Sequence, residues 1–176
     1  MARTPTDWKD AGAGEEQLTQ PLYDTTLSGT AADTDILFFN KSESADNREV
    51  TNLQQAGQIP PSQRFLIKKI VGFFNDVSAA ADELNVCDRG IFELLINNKR
   101  VLIIPLRLII GEAISLPSGV TQDESFVAGK TFELESYIYL KGGVPLSGVL
   151  NTGKTAAGVT TALTIALLGE LVRPSG

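Results

Sequence analysis

Apolar residues fall into short runs separated by polar, Gly- and Pro-containing stretches, and the most apolar segment carries its own turn. Ile91 to Ile96 and Val101 to Ile104 flank Asn97-Asn98, and asparagine tolerates the positive φ angles that a two-residue hairpin turn demands. With those two residues at the centre, Phe92 stands opposite Ile103 and Leu94 opposite Val101. Phe92, Leu94, Ile96, Val101 and Ile103 are then predicted to share the core face. The other face mixes Ile91, Leu95, Leu102 and Ile104 with Glu93 and Arg100. It is too apolar for free solvent, so a helix, an N-terminal arm or a neighbouring subunit is expected to cover it. Isolated hairpins are marginal, and this one must pack on a second sheet.

The remaining runs extend the β pattern. Asp35 to Phe39 predicts a short strand and Gln63 to Phe74 a longer one. In the longer strand Phe65, Ile67, Val71 and Phe73 alternate on one face, broken by Lys69, with Leu66, Ile70 and Phe74 on the other. Lys68 and Lys69 read as charges on a solvated edge, with strand-end or interface charges as the alternative. Thr131 to Leu140 alternates between Phe132, Leu134, Ser136, Ile138 and Leu140 on a dry face and Glu133, Glu135, Tyr137 and Tyr139 on a wet one. Gly142-Gly143 turns the chain into Val144 to Leu150. Val159 to Val172 fits either a helix or a strand, and its β-branched residues and Gly169 favour strand. Asn75 to Asn85 predicts a helix, with Val77, Ala81 and Leu84 on one side. Pro105 interrupts the hairpin, after which Arg107 to Ile110 is expected to stay extended, and Leu116 to Lys130 reads as loop.

Residues 1–33 are small and polar, with Trp8, Leu18, Leu22, Tyr23 and Leu27 as the sizeable apolar groups. They read as a flexible N-terminal arm, which is either a disordered terminus or a segment that orders against a neighbouring subunit. The expected organisation is an arm over 1–33 and a single jelly-roll domain over 34–176. About eight antiparallel strands with one short helix form a single jelly-roll β-sandwich or barrel in an all-β fold.

Composition narrows the chemistry. A chain of 176 residues fits one domain, and its net charge of −6 argues against a surface built for nucleic-acid phosphates, so no direct nucleic-acid contact is expected. The absence of histidine removes the commonest general base and the commonest transition-metal ligand. Cys87 is the single cysteine and has no partner for an intrachain disulfide. The first residues lack the apolar core of a secretory signal, so folding inside a cell is expected. No apolar run reaches the roughly 20 residues of a membrane-spanning helix.

Four motifs invite a chemical reading. GVLNTGKT satisfies the P-loop pattern at Gly148, Gly153, Lys154 and Thr155. Only 21 residues follow Thr155 in this sequence, too few for the strand that would supply a metal-holding acid, so a Gly-Lys turn between two antiparallel strands is preferred. Asp33 with Asp35, and Asp123 with Glu124, lack the spacing of a calcium loop and read as solvated carboxylates. Cys87 beside Asp88-Arg89 lacks a base and reads as a packed thiol. Glu133 and Glu135 could form a glycosidase pair, but a solvated strand face is the plainer reading. No catalytic residue, cofactor or metal is assigned, and the chain is not expected to be an enzyme.

Three stretches carry a family resemblance: TNLQQAGQIPPSQRFLIKKI from Thr51, FELLINNKRVLIIPLRLI from Phe92 and KTFELESYIYLKGGVPLSGVL from Lys130. In strand rhythm and turn placement they resemble the small single-jelly-roll major capsid proteins of tailless icosahedral, membrane-containing phages of the sphaerolipovirus type. The resemblance implies a capsid subunit that builds an icosahedral shell by self-association and arm exchange. Its implied partners are copies of itself and other capsid proteins, with an internal viral membrane as a further candidate neighbour. The implied location is the virion, after synthesis in the host cytoplasm. The alternative is a jelly-roll fibre, spike or carbohydrate-binding module, and a P-loop nucleotide-binding protein ranks below both.

Overall fold

The computed structural model describes residues 3–27, 35–44, 50–74, 86–87, 89–110, 131–152 and 162–175. The described residues form eight strands: β1 Glu15–Leu27, β2 Asp35–Phe38, β3 Arg64–Phe74, β4 Ile91–Ile96, β5 Lys99–Pro105, β6 Phe132–Lys141, β7 Leu146–Asn151 and β8 Ala162–Pro174. The first strand pairs antiparallel with the last, the second with the seventh, the third with the sixth and the fourth with the fifth. That is the pairing of one long antiparallel ribbon. Two further pairings, β3 with β8 and β4 with β7, wrap it into sheets of order β1-β8-β3-β6 and β2-β7-β4-β5. The result is the all-β jelly roll that the strand rhythm predicted.

Between the sheets lies one core, built around Phe38, Phe65, Ile67, Phe92, Leu94 and Ile165. Phe38 and Phe92 meet edge to face at 6.1 Å, an arrangement that favours aromatic pairs. Gly148 of β7 leaves room for them, because a Cβ there would stand 2.8 Å from the Phe92 ring.

The hairpin turn is as expected, with Asn97 and Asn98 at φ 53° and 58°, the signature of a type I′ turn. Its faces are not. Leu94 pairs with Leu102 but Leu95 pairs with Arg100, so Val101 is an extra residue, a β-bulge. A bulge inserts one residue and reverses which side chains beyond it face inward. Leu102 and Ile104 therefore join Phe92 and Leu94 on the core side, while Val101 and Ile103 are 42% and 52% exposed. The same device corrects β3, where Lys68 is the extra residue against β8. Phe65, Ile67 and Ile70 face the core, whereas Val71 is half-buried and Phe73 exposed. Neither lysine is a solvated edge charge: β3 is an inner strand, and Lys68 and Lys69 pair with Glu170 and Glu133 on the neighbouring strands.

Two other expectations change. Residues 15–27, assigned to the flexible arm, are strand β1, which pairs with β8 along its whole length and buries Leu22 and Asp24. Its polar sequence hides it, because an edge strand is held by backbone hydrogen bonds and tolerates Pro21. Its outer edge is also occupied: Tyr23 N–H donates to Asn52 Oδ1 at 2.9 Å, and Asn52 Nδ2 donates to the Pro21 carbonyl at 2.7 Å. Arg107–Ile110, expected to be extended, is a short helix, α1, that buries Ile109 and Ile110 one turn beyond buried Leu106. The β-branched tail from Ala162 is strand, as predicted. The predicted 75–85 helix and the 116–130 loop lie outside the described residues.

Candidate functional site

The N-terminal segment ahead of β1 is fastened to the outer face of the sheet β1-β8-β3-β6. Arg3 forms an isolated parallel bridge with Ser136, its N–H donating to the Glu135 carbonyl at 3.0 Å while its carbonyl accepts from Tyr137 N–H at 2.9 Å. The arm thus adds a first strand-like contact at the edge of β6. It does so where β6 parts from β3, since Ile67 pairs with Ile138 but Lys69 with Glu133. Further along, the Trp8 ring meets Tyr139 edge to face at 6.0 Å and lies 5.9 Å beneath the Arg64 guanidinium.

Arg64 is the hub of this contact. Its Nε donates to the Lys9 carbonyl at 2.9 Å and Nη2 to the Asp10 carbonyl at 3.0 Å. Nη1 and Nη2 clasp the two carboxylate oxygens of Glu15 at 2.7 and 2.8 Å, the bidentate geometry in which arginine excels. Hydrogen bonds from Arg64, and then from Gly12 N–H, hold the Glu15 carboxyl down at about 2, and Glu15 raises the guanidinium in return. A cleft of about 430 Å³ lies here, walled by Asp7, Asp10, Glu15, Arg64 and Tyr139. Because each guanidinium nitrogen already donates to the arm or to Glu15, this cleft is a clasp rather than an anion site.

The opposite outer face, on the sheet β2-β7-β4-β5, differs in character. Leu37, Val149, Glu93 and Ile103 stand in one row across its four strands. Leu37 and Ile91 are 49% and 44% exposed, and the Arg100 guanidinium pairs with Glu93 at 2.9 Å. The face keeps the apolar character noted in the sequence, but with Val101 and Ile103 in place of Leu102 and Ile104.

A third feature is internal. Asp24 of β1 is fully buried, and its Oδ2 accepts the Phe39 N–H at 2.6 Å. Phe39 sits at φ 62°, a region costly for a bulky residue. The carboxylate therefore holds the strained end of β2 against β1, while its Oδ1 has no hydrogen-bond partner among the described residues. Burial raises the pKa of Asp24 against the opposing pull of the Phe39 N–H and of Lys41.

The sequence-derived sites disperse. Gly148 lies inside β7 between the antiparallel strands β2 and β4, so the first half of the P-loop string is strand rather than phosphate-wrapping loop. Gly153, Lys154 and Thr155 lie outside the described residues. The strands on either side of that segment, β7 and β8, belong to different sheets. Asp35 accepts from Asn151 Nδ2 at 3.0 Å, whereas Asp33, Asp123 and Glu124 lie outside the described residues. Cys87 is buried. Glu133 is paired with Lys69, and Glu135 is exposed beside it. Tyr139 is engaged by Trp8, and Tyr137 lies 5.4 Å from the Lys68 ammonium. Among the described residues no three Cys, Asp or Glu side chains gather as metal ligands, and no helix is long and apolar enough to cross a membrane.

The Arg64 clasp was not foreseen, although a lone tryptophan in a polar arm was a usable signal. No family model matches the chain, and no curated protein matches it.

Proposed function

We infer that this chain is a viral structural protein, a capsid subunit that builds an icosahedral shell by self-association and arm exchange. The observation that carries this reading is the way residues 3–14 are held. They grip the body through transferable contacts: a strand-edge bridge at Ser136, a ring contact at Tyr139 and the Arg64 donors. The join to β1 passes Gly12 and Gly14, and Gly14 takes a positive φ of 79°. A neighbour carries the same socket, so the same contacts form between copies when the arm swings across, and exchange costs little beyond the hinge. The jelly roll supports the reading as a scaffold with two outer faces. Its expected partners are copies of itself and other capsid proteins, with a viral membrane as a further neighbour, and its place is the virion.

The test is to look for the chain in purified particles and to follow its mass by light scattering across concentration. A strict monomer absent from particles refutes the reading. Exchange is tested separately by mixing a Trp8→Cys chain with a Tyr139→Cys chain under oxidising conditions. A disulfide-linked pair is expected, and its absence refutes exchange.

A further inference from the structure

We propose that the outer face of the sheet β2-β7-β4-β5 docks the same face of a second copy of this chain. The proposal rests on the self-association reading above and names the surface that carries it. Cross-strand partners share a face, so the registers place Asp35, Asn151, Ile91 and Pro105 in one row. The next outward-facing row holds Leu37, Val149, Glu93 and Ile103, and the last holds Ser147, Leu95 and Arg100. Exposed branched aliphatics stand on three of its strands, Leu37 on β2, Ile91 on β4 and Ile103 on β5. The other outer face is more heavily charged, with three cross-strand ion pairs, Arg64, Lys68 and Lys69 with Glu15, Glu170 and Glu133.

The charges identify the occupant. The protein carries a net charge of −6, so two copies repel unless they meet where their charges are few and complementary. This face carries three charges in its rows, Asp35, Glu93 and Arg100, one net negative per copy, and two of them are placed to complement a second copy. Asp35 stands at one corner on edge strand β2, and Arg100 at the diagonally opposite corner on edge strand β5. A two-fold axis lying in the face along the other diagonal sets each Asp35 over the partner's Arg100, twice per contact. Glu93 lies near that axis and holds Arg100 through Nε at 2.9 Å, so in the contact the guanidinium is shared between Glu93 and the partner's Asp35. Four strands about 4.8 Å apart and three rows about 6.7 Å apart give a footprint on the order of 400 Å². A stable interface commonly needs about 800 Å² on each partner. The contact is therefore weak on its own and gains strength by repetition in an assembly.

The test is sedimentation equilibrium of the full chain across concentration. The wild-type mass is expected to rise with concentration. Ile103→Lys, at a half-exposed position, should lose that association step while keeping the wild-type circular dichroism. Thr19→Lys, exposed on the other outer face, should behave as wild type. Asp35→Arg and Arg100→Asp should each weaken association about tenfold, roughly 1.4 kcal/mol, and the two combined should restore it. Restoration is the signature of a second copy of this chain, since no other occupant exchanges both charges at once. Unchanged association in Ile103→Lys overturns the proposal. So does a double variant no better than the singles, which points instead to another protein or another segment of this chain. A chain that associates through Ile103 yet is absent from particles ends the shell reading and leaves this one standing.

Discussion

Replacing Gly169 with alanine tests the bulge that sets the faces of β3. Gly169 lies opposite Ile67, immediately before Lys68 becomes the extra residue. A Cβ at Gly169 would stand 2.8 Å from the Leu66 carbonyl carbon and closer still to its oxygen, inside the 3.0 Å that real Cβ atoms keep. The obstacle is backbone in an inner strand, so relief requires β3 and β8 to separate or the bulge to move. Overpacking in a well-packed interior costs about 1–3 kcal/mol, and a backbone obstacle belongs at the upper end, about 3 kcal/mol. At about 2–4 °C per kcal/mol for a chain of this size, the melting temperature should fall by roughly 6–12 °C. Gly148→Ala is the internal comparison. Its nearest obstacle is the Phe92 ring at 2.8 Å, a side chain that can tilt, so about 1–2 kcal/mol is expected. The assay is urea unfolding of both variants followed by circular dichroism, with the slope checked for two-state behaviour. A Gly169→Ala variant no less stable than Gly148→Ala would refute the reasoning, because it would mean that the close approach is not what holds the bulge.

The clasp titrates. The Glu15 carboxyl is held at about 2, below its ordinary 4.5, so its contribution is complete above the ordinary value and is lost as pH falls towards and through about 2. Trp8 is the single tryptophan, and its emission should shift to the red over that window and, in Arg64→Ala, already at neutral pH; an unshifted Arg64→Ala spectrum counts against the clasp. Asp24 has the opposite sign: its folded pKa is raised, so stability declines as pH rises from the ordinary Asp value through the raised one. Asp24→Asn should flatten that slope while still accepting from Phe39 N–H, whereas Asp24→Ala leaves that donor unpaired at about 1–3 kcal/mol; equal melting temperatures for the two at neutral pH would contradict this. Magnesium with ATP should leave the melting temperature unchanged, and a rise of several degrees abolished by Lys154→Ala would revive the P-loop.

Much of the fold was legible because its signals are local. Asn97-Asn98 specified a hairpin turn by tolerating positive φ, and Val159 to Val172, open to helix or strand, was tipped to strand by its β-branched residues and Gly169, as Ala162–Pro174 bears out. Strand β1 was not legible. Its sequence is polar, its buried face includes Asp24, and its order comes from β8 on one side and the Asn52 side chain on the other. The clasp was equally hidden, since Arg64 and Glu15 stand 49 residues apart and meet only because β3 and β1 both flank β8.

By itself the sequence determined the number of strands to within one, the hairpin turn and the jelly-roll class, because alternation and turn chemistry act within a few residues. Only the tertiary structure decided which side of each strand faces the core. Side chains alternate with a period of two, so one extra residue, Val101 in β5 or Lys68 in β3, reverses the assignment beyond it. Where that residue falls is set by close approach between strands far apart in sequence, as at Gly169 and the Leu66 carbonyl. The same reversal put Val101 and Ile103 on the outside, and with them the face proposed to meet a second copy.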